Sequence, residues 1–274
     1  VNGITFDIAD RQAAADAVAV ARREWDAIGE PSRRAECCWL DACRALTDSD
    51  FAGCVQAART GLEVGGPSTY HAPLLQAWLA WALRLQDHFE AAEAAAASAI
   101  ELAGDDPYRG TIALGAMAAI AEDRGDWPEV ERYFQGQQEI MVRNRVPDIV
   151  GRGGVVEHNA VICAILGRTD EALALARAAN EIFSTRDNRG LRQIFPLMHR
   201  GDPRPGDIEK SLQRHHQRLR LPPLEGAADT LSERLVEFAG RLERLGRRDK
   251  AEDCRRALAA VRAATGARDG AQGG

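Results

Sequence analysis

Hydrophobic positions along this 274-residue chain fall at steps of three and four, and the stretches that carry them come back at a nearly fixed interval. The first stretch, 10–28, puts Ala14, Ala17, Val18, Ala21, Trp25 and Ile28 on one helical face, with Asp10 as N-cap and Gly29 with Pro31 as the stop. From residue 32 onward the pattern predicts helix pairs: 33–46 with 50–64, 73–86 with 88–103, 108–124 with 127–143, 153–166 with 169–184, and 228–245 with 247–264. Each second helix follows a small or charged turn, as in TDSDFAGCVQAARTGLEV (47–64), LQDHFEAAEAAAASAIEL (85–102), DRGDWPEVERYFQGQQEI (123–140), LGRTDEALALARAANEIF (166–183) and LGRRDKAEDCRRALAAV (245–261). On one common frame, Cys54, Ala92, Val130, Ala172 and Ala251 take the same place. Their intervals are 38, 38, 42 and 79, the last close to two units with one degenerate.

A recurrence of this length marks a solenoid, whose core grows along its axis, so the chain reads as one elongated domain. Gly65-Gly66-Pro67, Gly104-Asp105-Asp106-Pro107, Arg145-Val146-Pro147 and Gly151-Arg152-Gly153-Gly154 are the expected helix breaks. Alternating strand patterns do not extend beyond a few residues, so the expected class is all-α. The division along the chain is a 1–31 arm and capping helix, four pairs over 32–184, an irregular basic Pro-rich segment with one helix over 185–226, a last pair over 227–265, and a disordered tail over 266–274. Residues 1–9 read equally as a short strand or an ordered arm.

The pairs resemble tetratricopeptide repeats, in which a small residue in helix A, a bulky residue near the turn, small residues in helix B and a following Pro recur. In the second unit these are Leu79, Ala80, Leu83, Phe89, Ala92, Ala99 and Pro107. In the third they are Met117, Ala118, Trp127, Val130, Phe134 and Pro147. The fourth offers Ala160, Gly167, Ala172 and Ala179, and the first Ala42, Phe51, Cys54 and Gly61. The spacing exceeds the family's usual 34 residues, and 185–226 lacks a unit. The resemblance implies a right-handed superhelical α-solenoid of antiparallel helix pairs whose inner helices line a concave groove.

On that frame the groove positions are Trp39, Cys43, Leu46, His71, Leu74, Ala77, Trp81 and Leu85, with Trp78 among the nearby rings. They make an apolar, Trp-lined surface suited to a partner peptide or helix. The competing reading places Trp39, Trp78 and Trp81 in the core. The family's clamp for acidic C-termini needs Lys and Asn at groove positions, and none is matched here. Glu157 and His158 on one inner helix offer a carboxylate and an imidazole. Neighbouring helical residues point about 100° apart, so the two do not form a pair by themselves, and groove lining is the plainer role.

Charge changes the picture in one place. The net charge is -6, yet the stretch 186–220 carries nine basic residues, among them Arg192, Arg200, Arg214 and Arg218, against four acidic ones. Phe195 is its one aromatic, which leaves it without the interleaved rings of a single-strand binder, and the acidic balance of the whole argues against nucleic acid as partner. His199, His215 and His216 with Cys163 or Cys254 lack metal-ligand spacing, so neither metal nor cofactor is expected. Gly151-Arg152-Gly153-Gly154 lacks the lysine of a phosphate loop, and no nucleophile elbow occurs. The six cysteines show no paired spacing and read as reduced thiols of a cytoplasmic protein. Arginine makes up all but Lys210 and Lys250 of the basic residues, which with much Ala and Gly is the composition of a GC-rich bacterial genome. No apolar run approaches the roughly 18 residues of a membrane span, and the chain opens on Val1, as if excised from something longer.

Together these features favour a non-catalytic scaffold that binds a protein partner, another domain of a longer parent chain included. Two alternatives stand beside it: a small-molecule or peptide-signal receptor domain, and a helical-repeat enzyme or accessory subunit built around Glu157 and His158. Exposed apolar grooves leave homo-oligomerisation open.

Overall fold

A computed structural model describes residues 11–144, 150–184 and 227–272, and among them every regular element is an α-helix. In chain order these are α1 (Arg11–Ile28), α2 (Pro31–Thr47), α3 (Phe51–Gly65), α4 (Ala72–Leu85), α5 (Phe89–Ala103), α6 (Pro107–Arg124), α7 (Trp127–Arg143), α8 (Val150–Ile165), α9 (Thr169–Ser184), α10 (Ala227–Arg244) and α11 (Arg248–Gln272). The segments 1–10, 145–149, 185–226 and 273–274, which include the basic Pro-rich stretch, lie outside the described residues.

The pairs are built on one turn, used repeatedly. Ser49, Asp87, Gly125, Gly167 and Gly246 all have positive φ, between 61° and 82°, and stand 38, 38, 42 and 79 residues apart. After each, the next N–H donates back to a carbonyl at the end of the preceding helix: Asp50 to Ala45 (2.8 Å), His88 to Leu83 (2.9 Å), Asp126 to Ala121 (3.0 Å), Arg168 to Cys163 (2.8 Å) and Arg247 to Leu242 (2.8 Å). This is the Schellman closure, in which a left-handed residue lets the chain reverse while the last carbonyls of the helix find donors. The carbonyl of that same donor residue then accepts the first bond of the next helix, from Cys54, Ala92, Val130, Ala172 and Ala251. All five of these residues have 0% exposure, so the sequence frame coincides with a buried position in every pair.

A second position is equally constant. Ala42, Ala80, Ala118, Ala160 and Ala239 share one place in the first helix of each pair, and each is buried. Small side chains there let helix axes approach closely. Gly61 shows how tight the fit is, because an added Cβ would lie 2.8 Å from Cys38 Cβ and 2.8 Å from Leu75 Cδ1.

The described residues fall into two compact units, one ending at Ile120 and the other starting at Ala121, within α6. In the first, α2 packs on α3 and α4 on α5, α1 lies on α2, and Ala77, Ala99 and Ala113 form a core against Ile100 and Ile112. In the second, α8 packs on α9 and α10 on α11, with α7 against α8.

Three boundaries differ from expectation. Pro31 is the first residue of α2 and not the stop of α1, because a proline costs no hydrogen bond at N1; Gly29, at φ 75°, ends α1 alone. Gly151-Arg152-Gly153-Gly154 is no break: it lies in the first turns of α8, where the first N–H groups lack intrahelical acceptors in any case, and Gly153 and Gly154 are buried. Finally, α11 runs to Gln272, past the end expected at 264, although that extension holds Gly266 and Gly270.

All six cysteines are free and buried. Burial pushes the thiols of Cys54 and Cys254 up to about 12 and that of Cys163 up to about 11. In the unfolded chain a thiol ionises near 8.5, so above that pH the native state holds more protons than the unfolded one. Stability is therefore expected to fall as pH rises from about 9 toward 11, by up to about 1.4 kcal/mol per pH unit for each such thiol. Urea titrations across that range check it, and Cys54→Ala/Cys254→Ala flattens the slope. The turn makes a separate prediction. Asp87→Gly relieves a left-handed non-glycine residue and raises stability by about 0.5–1 kcal/mol, whereas Gly167→Ala, whose Cβ would meet nothing within 4 Å, lowers it by about 1 kcal/mol through the backbone alone. Both are read from denaturant midpoints.

Candidate functional site

The residues expected to line an apolar groove lie inside the first unit. Trp39, Cys43, Leu46, Leu74, Trp81 and Leu85 are buried, none exposing more than 8% of its surface, and His71 and Trp78 are half-buried. The Arg84 guanidinium lies 5.3 Å from the centre of the Trp81 ring, and the Trp78 carbonyl accepts from the Cys54 thiol at 3.7 Å. Trp39 and Trp81 are thus buried, for a physical reason: rings at helical spacing beside closely approaching helices gain most by filling the space between them. Arg192, Arg200, Arg214 and Arg218 lie outside the described residues.

Glu157 and His158 are also buried, in a polar centre of the second unit that no sequence spacing announces. His158 Nδ1 is 3.0 Å from Glu122 Oε1, and the ring sits between Phe134 at 5.3 Å and Phe238 at 6.0 Å. Glu157 turns away and accepts from Arg234, at 2.6 Å from Nη2 and 3.2 Å from Nε, while Arg234 Nη1 also reaches Glu237 at 3.1 Å. Burial opposes the charge on Arg234, and the two carboxylates more than offset it, so its pKa stands above the ordinary value. Arg241 grips both oxygens of Asp123 in a bidentate pair. Trp127 Nε1 donates to Asp253 at 3.0 Å. Apart from Arg234–Glu237, these bonds join residues 36 to 126 positions apart, and those of Arg234, Arg241 and Asp253 tie α10 and α11 to the earlier helices of the unit. His158 is 5% exposed and Glu157 4%, and each makes its bond to a buried partner.

What the described surface of the first unit does present is a ladder of cations and rings. Arg33, His71 and Arg109 recur at intervals of 38, each at the N-terminal end of the first helix of its pair. Arg33 lies over the Trp25 ring at 5.3 Å, His71 meets Trp39 at 5.5 Å and Tyr70 edge-on at 5.3 Å, and Arg109 lies over Tyr70 at 4.8 Å. Tyr70 and Tyr108 are themselves equivalent positions 38 apart, 52% and 51% exposed. Burial holds the His71 imidazole below its ordinary value, with Glu36 acting upward and Arg33 downward. Tyr70, Tyr108 and Arg109 escaped the sequence reading, although the 38-residue frame that found the core could have found them.

No protein-family model matches the chain, and no curated protein matches it. Among solved structures, BtubC (BKLC) from P. vanneervenii is similar at a TM-score of 0.43 and 19% identity, over 80% of this chain and 91% of that one. At that distance the likeness bears on neither site nor function. Among the described residues no helix is long and apolar enough to cross a membrane.

The polar centre makes its own prediction. Arg241→Met takes the bidentate cation from the buried Asp123 carboxylate and is expected to cost about 3–5 kcal/mol in a urea titration, whereas Asp123→Leu/Arg241→Met recovers most of that loss. A double variant as unstable as the single one would show that the pair does more than neutralise itself.

Proposed function

We propose that this chain is a tetratricopeptide-like, non-catalytic interaction module that holds a segment of a partner protein along the Tyr70–Arg109–Tyr108 edge of its first unit. The observation that carries this reading is the pair of half-exposed tyrosines at equivalent positions with a guanidinium laid over one of them. Tyrosine and arginine supply large contact area at low entropic cost, and both are enriched where proteins bind one another. A scaffold role also suits the second unit, where the acid-base candidates Glu157 and His158 are consumed by Arg234 and Glu122. An enzyme would need such groups facing a substrate.

Selection of a random 12-residue peptide library on wild type and on Tyr70→Ser/Tyr108→Ser tests it. Both substitutions are at exposed positions, so unchanged helicity and melting are expected. Peptides enriched on wild type are expected to bind the variant at least tenfold more weakly. A variant that selects the same peptides with the same affinity removes the tyrosine edge as the binding surface.

A further inference from the structure

The His71 ring is held in place by ring contacts. Its backbone is fixed at the start of α4, where the carbonyl accepts from the Leu75 N–H at 2.8 Å, but its side chain makes no capping bond. The imidazole lies against Trp39 of α2, centroid to centroid 5.5 Å and tilted by 32°, and meets Tyr70 edge-on at 5.3 Å. Its Nδ1 is buried with no hydrogen-bond partner among the described residues, and the indole N–H of Trp39 has none either. Trp39 is 4% exposed while His71 is half-buried, so the imidazole forms part of the cover over the indole.

This arrangement suits a neutral imidazole and opposes a charged one. In the neutral ring one nitrogen carries the proton, and with the proton on Nε2 the buried Nδ1 is a bare acceptor. In the imidazolium both nitrogens carry protons, so Nδ1–H becomes a buried charged donor without an acceptor. Attraction of an imidazolium to the Trp39 face offsets part of that loss, since the neutral ring already makes the same contact. The charged neighbours do not reverse the balance. From α2, Glu36 acts upward on the imidazole and Arg33 downward, and Glu36 is itself engaged by Arg33 at 2.9 Å. From α6, Arg109 lies over the Tyr70 ring at 4.8 Å and is answered by Asp106 at 3.3 Å. Burial is the largest influence on His71 and holds it below its ordinary value.

We propose that His71 is a proton-operated cover on Trp39: neutral, its ring closes over the indole beside Tyr70; protonated, it swings out to water and leaves the indole open. The backbone can stay where it is, because α4 holds it while the side-chain torsions carry the ring away. Once the ring has left, both imidazolium protons reach water, and the Trp39 N–H becomes open to an acceptor. The direction in pH follows. Native His71 binds its proton less readily than the unfolded chain does, so the closed form is complete above about pH 6.5 and is lost as pH falls through the lower native value. The inference does not rest on the interaction reading, because the cover acts within the first unit with or without a partner.

The test follows both rings in the full chain. The His71 C2–H resonance, assigned by its loss in His71→Phe, is titrated by NMR in the native chain and in concentrated urea. Trp39 is followed by acrylamide quenching, as the difference between wild type and Trp39→Phe; the comparison of wild type with His71→Phe needs no substitution of the indole. The native His71 midpoint is expected below the one in urea. Quenching of Trp39 is expected to rise at least threefold from pH 7.5 to pH 5.0, along the His71 titration and with helicity unchanged. His71→Phe, which stacks without taking a proton, is expected to keep Trp39 shielded at both pH values, and His71→Gln to leave its quenching independent of pH. A native midpoint at or above the one in urea, Trp39 equally shielded before and after His71 titrates, a rise that comes only with loss of helicity, or the same rise in either variant overturns the inference.

Discussion

Close approach of paired helices is the constraint on which the rest of this chain depends. Alanine recurs at 42, 80, 118, 160 and 239, and a fully buried residue stands fourth in each following helix at 54, 92, 130, 172 and 251. At Gly61 not even one carbon can be added without meeting Cys38 and Leu75. Because axes this close require an abrupt reversal between helices, the turn is constrained as well, and a left-handed residue stands at every one of them. Three are glycine. Ser49 and Asp87 occupy the same conformation at some cost, which the surrounding closure bonds hold in place.

The second unit adds a different kind of specificity. Where the first unit fills its interior with Trp, Leu, Ala and Cys, the second buries Asp123 with Arg241, Glu157 with Arg234 and Glu122 with His158. Such pairs gain little net free energy over apolar residues of the same size, but one partner without the other is strongly unfavourable. They therefore discriminate between the observed docking of α10 and α11 and any shifted alternative, which would leave a charge buried alone. The same arrangement pairs Glu157 and His158 with different partners on different helices.

The proposed interaction lies at the margins of this packing. In the first unit Arg33, His71 and Arg109 recur at the same 38-residue interval as the core, with Tyr70 and Tyr108 beside them.

The sequence by itself determined the helices, their pairing and the interval at which they recur, because a helical face and a left-handed turn are local in sequence and leave a periodic trace. Its boundaries failed at Pro31 and at Gly151 to Gly154, where the same residue can end one helix or begin the next and local rules do not choose. Only the tertiary structure decided what the side chains do. Trp39 and Trp81 could be read from the sequence as groove or as core, and the structure buries both. Asp123 found Arg241 across 118 residues, and Trp127 found Asp253 across 126, distances over which no pattern in the chain records a contact. Pairing between distant charges depends on where whole helices come to rest, and that is settled by the sum of many contacts and not by any local signal.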